Sequence, residues 1–281
     1  MNAALPSSSR SGERLLEDAL RHSEDSAPAV RADALETAGW VAIGRDDMDC
    51  TREHLEHALA LYRELGDDRS AARCRLHLAT AASNTHEFDR ADQLLDDAAK
   101  AVQLLSDTRI EAWLAFTRGL VALERRDLQP ARRRFREGLR LYERTDFARG
   151  VTLSLANLGE VAFAEGDVSE AQSLLQEALA RFSADADHSG TVAMMVVAAA
   201  SAGREGRHHD AAALLGAAES FSEATGARIV RSHGDHVATL VASAEEAIGP
   251  PAFRQAHRRG RRMRIDDAVV LALGRRVVGA A

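Results

Sequence analysis

The sequence has 281 residues, 46% of them hydrophobic but only 4% aromatic, and a formal charge of −7. A net negative charge argues against non-specific nucleic-acid binding, and no stretch approaches the roughly 18 apolar residues of a membrane-spanning helix. Few aromatics with abundant Ala and Leu suit stacked, thin helical layers better than one large core.

The chain opens with MNAALPSSSRSG, residues 1–12, a Pro- and Ser-containing stretch without an apolar signal core. It reads as a disordered terminus on a soluble, cytoplasmic protein. Cys50 and Cys74 stand far apart in the sequence; they form no metal or redox spacing and read as free thiols in a reducing compartment.

Residues 13–30 contain ERLLEDAL, which puts Leu15, Leu16, Ala19 and Leu20 on one helical face. This is the pattern of the second helix of a hairpin whose first helix is missing. Such a half-repeat leaves an apolar end to be covered, so self-association into a homo-oligomer through it is expected.

From residue 31 to 226 one unit recurs with a constant period of about 40 residues, long for a helical-hairpin repeat. Gly39, Ala79, Gly119, Gly159 and Ala199 share one position, and Thr51, Ala91, Ala131, Ala171 and Ala211 another. Leu55, Leu95, Phe135, Leu175 and Leu215 follow, then Ala58, Ala98, Gly138, Ala178 and Ala218. Antiparallel helices approach closely only where facing side chains are small, with Leu or Phe filling the space beside the crossing. Five helical hairpins are therefore expected, each burying its neighbour's open face. The turns carry Asp47, Glu87, Asp127 and Asp167 at the start of the second helix, where an acidic side chain caps the helix and meets its positive dipole end.

Residues 227–281 leave the register. A helix over 236–247 should end at Gly249, Pro250 and Pro251, with the prolines in the first turn of the next helix. That helix carries Phe253, and Asp266 and Asp267 open a last short helix over 268–273. Together these should cap the fifth hairpin.

The small-residue pattern resembles the tetratricopeptide repeat, stretched by longer helices and linkers. Residues 34–43 (ALETAGWVAI), 58–67 (ALALYRELGD), 154–167 (SLANLGEVAFAEGD) and 211–227 (AAALLGAAESFSEATGA), with the ending at 247–273, are similar to the C-terminal sensor region of bacterial LuxR-type (MalT-like) and AfsR-like regulators. The resemblance covers about residues 13–275 and implies a right-handed superhelical α-solenoid with a helical cap. Those regulators also carry a nucleotide-switch domain and a helix-turn-helix. No GxxxxGK[ST] stretch is present, and no helix-turn-helix is expected after the cap.

In tetratricopeptide arrays the first helices line the concave face. The resemblance places there Asp33, Glu36 and Trp40, then Arg73, Leu76 and Thr80, then Trp113, Phe116, Leu120 and Leu123, and finally Glu160 and Phe163. Both tryptophans fall in this set. Two readings follow: an exposed groove for an apolar peptide, a helix or an apolar small molecule, or inter-repeat core. Glutamates such as Glu36 and Glu160 at the rim would favour a cationic feature on the partner. The Lys and Asn of a carboxylate clamp are absent from the corresponding positions, which argues against binding of chaperone tails.

The remaining clusters weigh toward structural roles. His54 with His57, His208-His209-Asp210 and the group His233, Asp235 and His236 lack a recognisable third ligand, so no metal is expected. Arg132, Arg133, Arg134 and Arg136, and the run from Arg258 to Arg264, read as solvated helix faces rather than a nucleic-acid surface. No catalytic or cofactor motif stands out. The expected function is a non-catalytic binding module of regulatory or sensor type; an unusual enzyme or small-molecule carrier using the aromatic groove, or an assembly scaffold, are the alternatives.

Overall fold

The computed structural model describes residues 26–45, 47–225 and 231–274, with only the backbone course given for 231–239. Among the described residues there are thirteen helices and no strand. They are α1 (Pro28–Gly44), α2 (Met48–Leu65), α3 (Asp68–Asn84), α4 (Phe88–Leu105), α5 (Thr108–Glu124), α6 (Leu128–Arg144) and α7 (Ala148–Glu165). These are followed by α8 (Val168–Ala184), α9 (His188–Arg204), α10 (His208–Thr225), α11 (Arg231–Ile248), α12 (Pro250–Arg261) and α13 (Ile265–Ala272). The half-repeat helix with Leu15, Leu16 and Leu20 lies outside the described residues. None of the described helices is long and apolar enough to cross a membrane.

The linkers set the period. Residues 66, 86, 106, 126, 146, 166, 186 and 206, evenly spaced with one in each linker from α2 to α10, all have positive φ, although only three are glycine. Each follows a helix whose last carbonyls are satisfied by the turn: at the end of α5, Arg126 N–H donates to Leu123 O and Asp127 N–H to Ala122 O, both at 2.9 Å. This is the Schellman closure. The next residue then opens the following helix. Asp67 illustrates both tasks, its N–H closing α2 on Tyr62 O at 2.9 Å while its carboxylate accepts from Ser70 N–H at 3.0 Å. The bond with Ser70 holds the Asp67 carboxyl below its usual range, against the opposing effect of burial.

The expected caps ahead of the second helices are only half present. Asp47 and Asp167 accept from Cys50 and Glu170 N–H, whereas Glu87 and Asp127 make no side-chain cap bond. Glu87 instead pairs with Arg52 at 2.5 Å and accepts from Thr85. Strong caps stand ahead of first helices, where Asp107 accepts from Arg109 and Ile110 N–H and Asp187 from Gly190 N–H.

The chain forms two compact units, residues 1–154 and 155–281, divided within α7. In the first, α1 pairs with α2, α3 with α4 and α5 with α6, and α3 also packs against α5. The crossing points are those of the repeat pattern: a Cβ on Gly39 would lie 2.5 Å from Leu55 Cγ, and one on Gly119 2.7 Å from the Phe135 ring. The core joins hairpins. Leu55, Ala58 and Tyr62 of the first hairpin pack with Ala71, Cys74 and Leu78 of the second, and Leu76, Ala79 and Leu95 pack with Ile110 and Leu114 of the third.

In the second unit Gly159 meets Leu175 in the same way, its Cβ position 2.7 Å from Leu175 Cγ. The cap helices cover α10. Their approach is backbone to backbone: a Cβ on Gly216 would collide with His257 O, and one on Gly260 with Ala213 O. Pro250 and Pro251 occupy the first turn of α12, as their fixed φ and missing N–H favour. The last helix begins at Ile265, ahead of the expected start, and places Ala268 and Leu271 against α9 and α10. Both units are all-α stacks of helical hairpins, the fold class of an α-solenoid.

Candidate functional site

The first unit carries a cluster that draws residues from four helices. On α1, Asp33, Glu36 and Trp40 are spaced i, i+3, i+7, so they share one face. Arg73 and His77 on α3 stand beside them, Tyr62 reaches in from the end of α2, and Trp113 comes from α5.

Glu36 is the polar centre, only 8% exposed despite its charge. Arg73 holds it with two bonds, Nε to Oε1 at 2.8 Å and Nη2 to Oε2, and the Tyr62 hydroxyl donates to Oε2 at 2.9 Å. A buried carboxylate is tolerable only when paired and hydrogen-bonded in this way, so the pair fixes the register of the first two hairpins more than it adds net stability. The bond to Glu36 raises the Arg73 pKa; burial, and then the carboxylates of Asp33 and Glu36, raise that of Tyr62.

His77 is buried beside this pair, with Nε2 4.0 Å from Glu36 Oε1. Its ring lies between the two tryptophans, 4.8 Å from Trp40 in a tilted pair and 4.6 Å from Trp113 edge to face. Burial lowers its pKa from 6.5 to about 4, Glu36 acting in the opposite sense. The neutral imidazole therefore joins the indoles in an aromatic stripe crossing the first helices of three successive hairpins. At one end of the stripe Trp40 is 51% exposed; Trp113 is half-buried against the core below.

The positions expected in the groove thus have different fates. Trp40 is exposed, and Trp113, Leu120 and Leu123 are half-buried. Leu76 and Phe116 are corrected to core: Leu76 is wholly buried between hairpins, and Phe116 is buried with its ring 5.5 Å from Phe135 and 6.4 Å from Tyr142. Glu36 is likewise not a rim residue but a buried, neutralised one. In the second unit Glu160 and Phe163 are half-buried on α7. The Arg204 guanidinium stacks 3.7 Å above the Phe163 ring and donates to its carbonyl at 2.9 Å, covering a ring expected to be open.

The other clusters resolve similarly. Arg261 clamps Glu219 at 2.6 Å and Glu223 at 2.7 Å, so part of the basic run from Arg258 to Arg264 ties the cap to α10. Among the described residues no three His, Cys, Asp or Glu side chains converge as metal ligands would, and the side chains of His233, Asp235 and His236 lie outside them. Burial pushes the Cys74 thiol well above its usual range, which keeps it protonated and a poor nucleophile.

His77 and Tyr62 were not singled out by sequence. A signal existed for the first: its equivalents in the other repeats are Thr37, Thr117, Asn157 and Val197, a mostly polar position within otherwise apolar helices. Tyr62 has equivalents Val102, Tyr142, Phe182 and Ser222, which read only as packing.

This architecture defines a helical-repeat protein. No family model matches the sequence, and no curated protein matches it. Among solved structures, that of BtubC (BKLC) from P. vanneervenii is similar, with a TM-score of 0.55 and 18% identity over 78% of this chain and 91% of that one. At that identity the similarity speaks for the helical-repeat fold alone.

Proposed function

We propose that this chain is a non-catalytic binding module whose contact surface is the Trp40–His77–Trp113 stripe on the first helices of the first unit. The observation that carries this reading is Trp40. In a chain with only two tryptophans, one stands 51% exposed and continues into a buried imidazole and the second indole. A large rigid aromatic left in solvent costs apolar exposure and gains most by covering it with a partner. Beneath it, the Glu36–Arg73–Tyr62 network holds α1 and α3 in register and so presents the rings in a fixed arrangement.

The occupant in this reading is a peptide segment of a protein partner. The resemblance to the sensor regions of LuxR- and AfsR-type regulators supports a regulatory setting for that recognition. Selection of a random peptide library displayed on phage tests the proposal. Peptides retained by the wild type should be lost by Trp40→Ser, which removes the exposed ring from a surface position. Equal retention by both proteins would refute the assignment of the stripe.

A further inference from the structure

The same stripe carries an unbalanced charge. Two carboxylates converge on the one hydroxyl of Tyr62, Asp33 Oδ1 at 2.6 Å and Glu36 Oε2 at 2.9 Å. A phenol has a single proton to donate and cannot fully serve both. The guanidinium of Arg73 is committed to Glu36 through two bonds. Asp33 is exposed, and among the described residues no cationic side chain pairs with it. Among the described residues the face of α1 therefore offers a carboxylate without a counter-ion and, two helical turns on, an exposed indole.

We infer that the stripe takes a peptide in polyproline II conformation in which a basic residue stands three places from a large apolar one, the basic group on Asp33 and the apolar side chain on Trp40. The inference rests on the reading of the stripe as a binding surface and adds the chemistry of the occupant. The helical rise separates Asp33 and Trp40 by about 10 Å along α1. A polyproline II segment covers about 9 Å in three residues and, with about three residues per turn, brings the first and fourth side chains back to one face. Charge complementarity selects the sign: an acidic residue at that place would meet Asp33, and the indole face itself attracts cations.

Intrinsic fluorescence reads the outcome directly, since both tryptophans belong to the stripe. Three peptides serve as probes: acetyl-Arg-Ser-Ser-Leu-amide and its versions with Gln or Glu in place of Arg. The Arg peptide should bind about fivefold tighter than the Gln peptide at low salt, the size of an exposed ion pair, and the Glu peptide should bind weakest. The preference should collapse at about 0.5 M NaCl, where screening acts over a few ångströms. In Asp33→Asn, which keeps an acceptor for Tyr62, the Arg and Gln peptides should become equal while Gln-peptide affinity is retained. Equal binding of all three by the wild type would overturn the charge inference and leave the stripe standing as an apolar site. A preference that survives Asp33→Asn, or one indifferent to salt, would overturn it as well. No change in emission with any peptide at millimolar concentration would overturn both this inference and the binding surface it rests on.

Discussion

His77 ties the stability of the first unit to pH. In the folded chain burial lowers its pKa from 6.5 to about 4, against the pull of Glu36 and with a further lowering by Arg73. In the unfolded chain it titrates near its ordinary value. A depressed folded pKa means that stability is complete above the unfolded value and is lost as pH falls from about 6.5 toward 4, because the unfolded state then binds the proton the folded state refuses. At about pH 4.5 the difference is roughly two units, or about 2–3 kcal/mol, a large share of the stability of an ordinary domain. Urea unfolding followed by tryptophan emission at pH 7 and pH 4.5 measures it, since both indoles touch the His77 ring. His77→Phe keeps a ring between them and removes the titration. Carboxylates elsewhere titrate alike in both proteins, so the wild type should lose about 2–3 kcal/mol more than the variant over that interval. Equal losses would refute a buried neutral histidine. So would a His77 ring that titrates at the ordinary histidine value by NMR in the folded protein.

Other substitutions test the frame. Gly260→Ala, which drives a Cβ into Ala213 O, should destabilise the second unit by about 2–3 kcal/mol in thermal unfolding, whereas Gly44→Ala, with nothing near its Cβ position, should be neutral or slightly stabilising. Ala186→Gly should raise stability by about 0.5–1 kcal/mol, because alanine there is held at φ 53°; a loss would show that the turn is not left-handed in solution. Asp107→Ala removes the acceptor for two N–H groups at the start of α5 together with the 2.7 Å pair to Arg69, and should cost about 1–2 kcal/mol in urea unfolding.

Much of the fold was legible because the sequence repeats it. Gly39, Gly119 and Gly159 mark crossings whose large partners, Leu55, Phe135 and Leu175, stand at one fixed offset, and that pairing is local, steric and copied from hairpin to hairpin. The even rhythm of the linkers was harder to see. It lives in backbone angles at His86, Ser106, Arg126 and Ala186, residues that carry no glycine-like signal for a left-handed turn.

The site was legible in part. Trp40, Trp113, Asp33, Glu36 and Arg73 were named by register, yet the burial of Glu36 depends on Tyr62 and Arg73, 26 and 37 residues away, which no local pattern reports. Leu76 shows why fixed repeat positions mislead. Its equivalents in the other repeats, Glu36, Phe116, Ala156 and Val196, are buried as well, so this register position is buried in each copy whatever residue stands there. Phe163 was misjudged for a different reason: its cover, Arg204, comes from α9, 41 residues on.

The most direct test of the binding surface uses one tryptophan. In Trp113→Phe the emission comes from Trp40 alone, and acrylamide should quench it efficiently in the free protein and much less when a phage-selected peptide is bound to saturation. Quenching that is weak in the free protein, or unchanged by the bound peptide, would contradict the claim that Trp40 and its stripe are where this chain meets its partner.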